Sequence, residues 1–83
     1  MSAHHLLKDQ TIIVTGAATG IGQAFALGCA AQGARVVAAD MNAADETVQA
    51  IESAGGQALA VRVDVSDAAS VQGMAEAALK AFG

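Results

Sequence analysis

The residues whose types and spacing could do chemistry lie in one stretch, Val14-Thr15-Gly16-Ala17-Ala18-Thr19-Gly20-Ile21-Gly22. It joins an apolar segment to an amphipathic one, as a turn between a strand and a helix does. Such a turn gathers unpaired backbone N–H groups and the positive end of a helix dipole at one spot, where a pyrophosphate can sit. The three glycines serve different ends. Gly16 permits the sharp turn, Gly20 lets backbone approach the pyrophosphate, and Gly22 lets the helix pack closely on the strand. Ala18, Thr19 and Ile21 complete the cradle. A P-loop is excluded, because Ile21-Gly22-Gln23 follows where Lys-Ser or Lys-Thr would be needed.

Two carboxylates extend the site. Asp40 stands 18 positions past Gly22, at the end of the next apolar segment. A carboxylate there can accept hydrogen bonds from both hydroxyls of an adenosine ribose and would repel a 2′-phosphate, which favours NAD over NADP. Ala17, Ala18, Met41 and Asn42, the residues expected nearest a 2′-phosphate, include no Arg or Lys. The simpler alternative is an exposed aspartate at a strand end. Asp64 ends the third apolar segment and has two readings of equal weight, a ligand contact at the same sheet edge or the start of a turn. His4-His5 has no third ligand at suitable spacing and reads as part of a solvated arm, so no metal site is expected. Cys29 falls on an apolar helical stripe with no basic neighbour in sequence, and reads as a buried structural thiol.

The elements that must position these residues follow in order. Residues 1–10 form an arm and the approach to a strand. Residues 11–15, β-branched throughout and apolar at the centre, read as a strand buried on both faces. The helix after the glycine turn carries Ile21, Ala24, Phe25, Gly28 and Cys29 at helical spacing and ends at Gly33. Residues 34–39 form a second strand. Asn42 is placed to cap the next helix, with Asp45 and Glu46 at the positive end of its dipole and Ala44, Val48 and Ile51 inward. Residues 58–63 alternate in a way that suits an edge strand. Ser66 is placed to cap the last helix, with Asp67 in its first turn, Ser70 facing solvent, and Val71, Met74, Ala75, Ala78, Leu79 and Phe82 as its apolar stripe. Strand alternating with helix through short connections is the pattern of a parallel sheet built from right-handed crossovers.

Composition bounds the function. Eighty-three residues make at most one small domain, and 54% apolar against 14% charged excludes intrinsic disorder. Net charge −4, with Lys8, Arg35, Arg62 and Lys80 as the only fixed cations, argues against nucleic acid as a partner. No apolar run approaches the roughly 20 residues of a membrane span. One cysteine and no signal-like N-terminus lead us to expect a cytoplasmic protein.

Thr15-Gly16-Ala17-Ala18-Thr19-Gly20-Ile21-Gly22 resembles the Thr-Gly-x-x-x-Gly-x-Gly signature of the short-chain dehydrogenase/reductase family. The resemblance covers residues 7–83 and implies a Rossmann-like three-layer βαβαβα half-domain of α/β class, its parallel sheet in the order 3-2-1. It implies that Asp40, with Met41 beside it, selects NAD, and that Asp64-Val65 contacts the adenine. It also implies an oxidoreductase moving hydride between NAD and an alcohol or carbonyl. The chain departs from the family's pattern in having no tyrosine, so the Tyr-x-x-x-Lys pair with its serine is missing and the chain is expected to be inactive alone. The expectation is therefore an NAD-binding N-terminal portion whose bare first-strand edge, residues 12–14, leads to a homo-oligomer or to association with a missing C-terminal half. A stand-alone dinucleotide-binding module without turnover, or a structural fragment that binds nothing, are the other readings.

Overall fold

The computed structural model describes residues 7–83, and His4-His5 and most of the expected arm lie outside them. The elements are β1 (Thr11–Thr15), α1 (Gly20–Ala31), β2 (Arg35–Asp40), α2 (Asp45–Ser53), β3 (Gln57–Arg62) and α3 (Ala68–Phe82). The strands are parallel in the order β1-β2-β3, the expected half of a Rossmann-like sheet, with β3 at an edge. Central β2 is covered on both faces. Val36, Val37, Ala38 and Ala39 are all fully buried, and its sequence is accordingly almost continuously apolar.

Strand alternation sorts the core into two layers. Val36 and Ala38 pack with Ala26 and Cys29 of α1 and Ile51 of α2, and Ala58 and Ala60 of β3 join them. Ala39 belongs to the opposite face, with Val63, Val61 and Met74 of α3. The first two helices thus cover one face and the third covers the other, as right-handed crossovers require. Asp40 and Arg62 continue the series that faces α1 and α2. Among the described residues no helix is long and apolar enough to cross a membrane.

Several local expectations need correction. The second and third strands each begin and end one residue away from their expected bounds, without changing which face any residue takes. The inward side of α1 is Ala26 and Cys29, whereas Ile21 and Phe25 are 90% and 59% exposed and Ala24 and Gly28 also face out. Small residues face inward here, with the partly buried Leu27 packed beside them, so side-chain size does not mark the buried face of this helix. Cys29 is buried as expected, and burial pushes its thiol pKa up. In α3, Met74 and Ala78 are buried while Ala75 and Leu79 are exposed.

The caps differ for a shared reason, the preference of a short polar side chain for the backbone N–H two residues ahead. Asn42 does not cap α2. Its own N–H donates to Oδ1 of Asp40 at 3.0 Å, and Ala44 occupies the cap position. Asp45 and Glu46 do lie in the first turn of α2. Asp67, not Ser66, caps α3, its Oδ1 accepting from the Ala69 N–H at 3.0 Å. Ser66 instead donates its N–H and its hydroxyl to Oδ1 of Asp64, at 3.0 and 2.6 Å. Ser70 is half-buried rather than solvent-facing, and its Oγ accepts from the Asp64 N–H at 2.9 Å.

Thr47 of α2 is completely buried beneath the glycine turn. Its hydroxyl donates to the Ala17 carbonyl at 2.7 Å and accepts from Nε2 of Gln23 at 3.1 Å, so one oxygen ties α2 to the turn and to α1. Thr47→Val keeps the shape and leaves a buried carbonyl unpaired, which costs about 1–3 kcal/mol. The expected result is a lower urea midpoint with unchanged slope, followed by far-UV circular dichroism. A midpoint equal to that of the parent chain would show that the bond carries no net stability.

Acid should act on two loops. The N–H groups of Asn42 and then Ala18 hold the Asp40 carboxyl below its usual pKa, and the Ser66 hydroxyl and N–H do the same to Asp64. A depressed folded pKa contributes stability that is present above the unfolded value, about 4, and is lost as pH falls through the folded value. The urea midpoint should therefore be insensitive to these groups between neutrality and about pH 5, and should fall below about pH 4. In the Asp40→Asn, Asp64→Asn double variant that acid-side fall should be shallower.

Candidate functional site

Gly16 and Gly20 bracket the turn with φ of +71° and +62°, a backbone region that other residues enter at a cost. Between them the chain is fastened to the end of β2. The Ala17 N–H donates to the Ala39 carbonyl at 3.1 Å, and the Ala18 N–H donates to Oδ2 of Asp40 at 3.0 Å. Ala17 and Ala18 are buried, while Thr19, Gly20 and Ile21 are exposed. One half of the turn is thus fixed to the sheet and the other half faces outward. At Gly22 a Cβ would overlap the carbonyl of Gly16, so the first turn of α1 rests directly on the loop that precedes it. This close approach is to the turn itself rather than to the strand.

The exposed half presents donors. Among the described residues no acceptor meets the N–H groups of Thr19, Gly20, Ile21 or Gly22. Thr19, the N-cap of α1, makes no side-chain capping bond, and the first turn carries no acidic residue. At α2 the first turn contains Asp45 and Glu46, and at α3 the cap is Asp67. The positive end of the α1 dipole is therefore neutralised by nothing in its own sequence, an arrangement that attracts an anion.

Asp40 stands at the other side of the turn. It is half-buried, and each carboxylate oxygen accepts one backbone N–H, from Asn42 and from Ala18. An ionised carboxylate has about four acceptor positions, so these two bonds do not exhaust it. Beyond it Met41, Arg62, Val63, Asp64 and Ser70 line a shallow depression of about 200 Å³. The sheet edge thus brings Met41 and Asp64 together with Asp40 and the glycine turn, while Val65 is exposed outside that lining. Asp64 starts its own turn, held through Ser66, and also lines the depression. A larger hollow of about 340 Å³, among Lys8, Asp9, Arg35 and Gly55, lies at the opposite edge. In open parallel sheets ligands bind outside the carboxyl ends of the strands, which leaves that hollow aside.

Two residues escape a reading of the sequence. Thr47 supports the Ala17 carbonyl from below, and its signal is a polar residue at the inward helical spacing of Ala44, Val48 and Ile51. Arg62 sits beside Asp40 because the β2–β3 register pairs the two, and its Nε donates to the Met41 carbonyl at 3.3 Å. It adds a cation beside Asp40 that the local neighbours Ala17, Ala18, Met41 and Asn42 do not include. Its signal is the alignment of two six-residue strands, which a scan for local neighbours passes over.

Comparison with known proteins agrees with this geometry. The chain is 46% identical over 80 residues to an uncharacterised oxidoreductase of Methylorubrum extorquens, covering 93% of this chain and 32% of that protein. A hydroxysteroid dehydrogenase from Escherichia coli superimposes with a TM-score of 0.93 at 36% identity, over 100% of this chain and 36% of that one. A short chain dehydrogenase/reductase from Burkholderia phymatum, solved in complex with NAD, superimposes with a TM-score of 0.86 at 40% identity, over 93% of this chain and 28% of that one. The chain thus spans about a third of the length of the relatives it matches. The short chain dehydrogenase family model matches residues 10–83, and with the glycine turn, the order of the sheet and these likenesses in agreement, the chain belongs to the short-chain dehydrogenase family.

Proposed function

We propose that this chain holds NAD along the carboxyl edge of its sheet, as the cofactor-binding part of an oxidoreductase acting on an alcohol or carbonyl. The observation that carries the reading is the set of N–H groups from Thr19 to Gly22, without acceptors among the described residues, at a helix start that no side chain caps. Their donors and the uncancelled dipole fit a pyrophosphate. Gly16 and Gly20 shape that cradle, and Ala18 serves it by fastening the loop to Asp40. The remaining acceptor capacity of Asp40 fits ribose hydroxyls, and Met41, Asp64 and Val65 flank the adenine end. The family relationship and a related structure in complex with NAD support the assignment.

Bound nicotinamide supplies or accepts a hydride at the substrate carbon. The part assigned to this chain's own residues is to bind and orient the nucleotide. Its 83 residues contain no tyrosine to move the accompanying proton, so no catalytic residue is assigned within them.

NADH should bind more tightly than NADPH, by about tenfold, because a 2′-phosphate would enter the field of Asp40. Calorimetric titration of the chain with each nucleotide measures this, and equal affinities would remove the selective role of Asp40. Gly20→Val should abolish binding, since a β-branched residue at positive φ strains the turn that aligns the free N–H groups. We also propose that the outer edge of β1 drives self-association of the chain, Ile13 being 39% exposed beside an apolar groove that Leu79 also lines. Sedimentation should show mass rising with concentration, and Ile13→Lys should reduce it. A monomer at all concentrations would refute the self-association.

A further inference from the structure

We infer that Arg62 is a second specificity element of the nucleotide site, one whose guanidinium receives a 2′-phosphate and so offsets part of the preference for NAD that Asp40 imposes. The inference rests on the nucleotide reading above and goes beyond it in naming which dinucleotides the site admits.

Position comes first. Asp40 and Arg62 are register partners at the last residues of adjacent parallel strands. Both continue the alternation that faces α1 and α2, so their side chains leave the sheet on the same side, at the edge where the glycine turn lies. Arg62 is exposed and lines the depression shared by Met41, Asp64 and Ser70. The other fixed cations are placed elsewhere. Arg35 is at the opposite end of β2, donating to Thr11 Oγ1 and to the Asp9 carbonyl, Lys8 borders the hollow at that opposite edge, and Lys80 is in the last turn of α3. Among the described residues, Arg62 is thus the one fixed cation at the ribose end.

Its bonding leaves it able to act. The bond from Nε to the Met41 carbonyl, at 3.3 Å, is long and anchors the guanidinium at the residue next to Asp40. Among the described residues its terminal nitrogens donate to no acceptor. A guanidinium anchored through Nε presents the fork that suits two oxygens of a phosphate, as a lysine ammonium does not. The Asp40 oxygens meanwhile are held by the Ala18 and Asn42 N–H groups, so the carboxylate stays with the loop and the 2′ position lies between a fixed anion and a cation on a flexible stem. The simpler role for Arg62 is a charge that keeps the edge strand β3 from pairing with other chains, and that role predicts no effect on nucleotide choice.

The ratio of the NADPH to the NADH dissociation constant separates the two. Measured by calorimetry on the full chain in low salt, the ratio should rise about tenfold in Arg62→Gln and by a smaller factor in Arg62→Lys, which keeps the charge and loses the fork. A ratio within twofold of the parent in Arg62→Gln overturns the proposal, as does loss of both nucleotides in that variant. Failure of the parent chain to bind NADPH when it binds NADH also overturns it. If the parent chain binds neither nucleotide, the dinucleotide reading itself fails, and this inference fails with it.

Discussion

The contact on which the rest of the structure depends is the one between Gly22 and the carbonyl of Gly16. Because position 22 has no Cβ, the first turn of α1 rests on the loop that leads into it. That seat decides where the helix begins, and hence which N–H groups precede its first internal bond and stay free. It also sets the rotation of the helix. With Gly22 inward, the residues four and seven positions later, Ala26 and Cys29, face the sheet, and the larger Ile21 and Phe25 turn outward. Thr47 then holds the Ala17 carbonyl from the side of α2, so the same few atoms fix the loop, α1 and α2 together. A side chain at position 22 would therefore displace a set of donors along with a packing contact.

Electrostatics at the carboxyl edge follow from this placement more than from total charge. The chain is net negative, and the starts of α2 and α3 each carry their own carboxylates. The first turn of α1 carries no carboxylate of its own, and the acid that stands beside it, Asp40, comes from β2 and is held by the Ala18 N–H. Attraction of an anion there depends on the local dipole and on aligned N–H groups, whose effect falls off within the first turn.

What can be read from the sequence follows the range of the forces involved. Strands and their order are legible because burial of β2 on both faces leaves a run of apolar residues that is hard to mistake, and right-handed crossovers do the rest. The glycine turn and Asp40 are legible because each glycine answers a local steric demand. The caps are not. Asn42, Ser66 and Asp67 can all bond a nearby N–H, and which does so depends on whether Asp40 or Asp64 takes that N–H first. The inward face of α1 is misjudged when size stands as the sign of burial, since the seat of Gly22 on the turn sets the rotation of the helix and brings Ala26 and Cys29 to the sheet. Arg62 and Thr47 escape because their partners are 21 and 30 residues away in sequence, and only register and packing bring them close.

Asp40 shows why recognition and architecture are hard to separate here. One of its oxygens holds the Ala18 N–H and the other the Asn42 N–H, so the acid that reads a ribose in our proposal also closes the loop that would hold the pyrophosphate. An asparagine has one oxygen where the carboxylate has two, and its NH₂ group would face one of those two backbone donors. The loop would have to move, or the side chain would have to turn away from it. A change at position 40 therefore alters the shape of the cradle and the charge at the ribose at once, and neither effect can be assigned from that position alone. Arg62 does not have this double duty. Among the described residues its one hydrogen bond reaches the Met41 carbonyl and closes no loop, so its charge can be varied while the cradle stays as it is. Selectivity in our proposal is thus divided between an anion built into the fold and a cation attached to its margin, and the second is the one free to change without rebuilding the site.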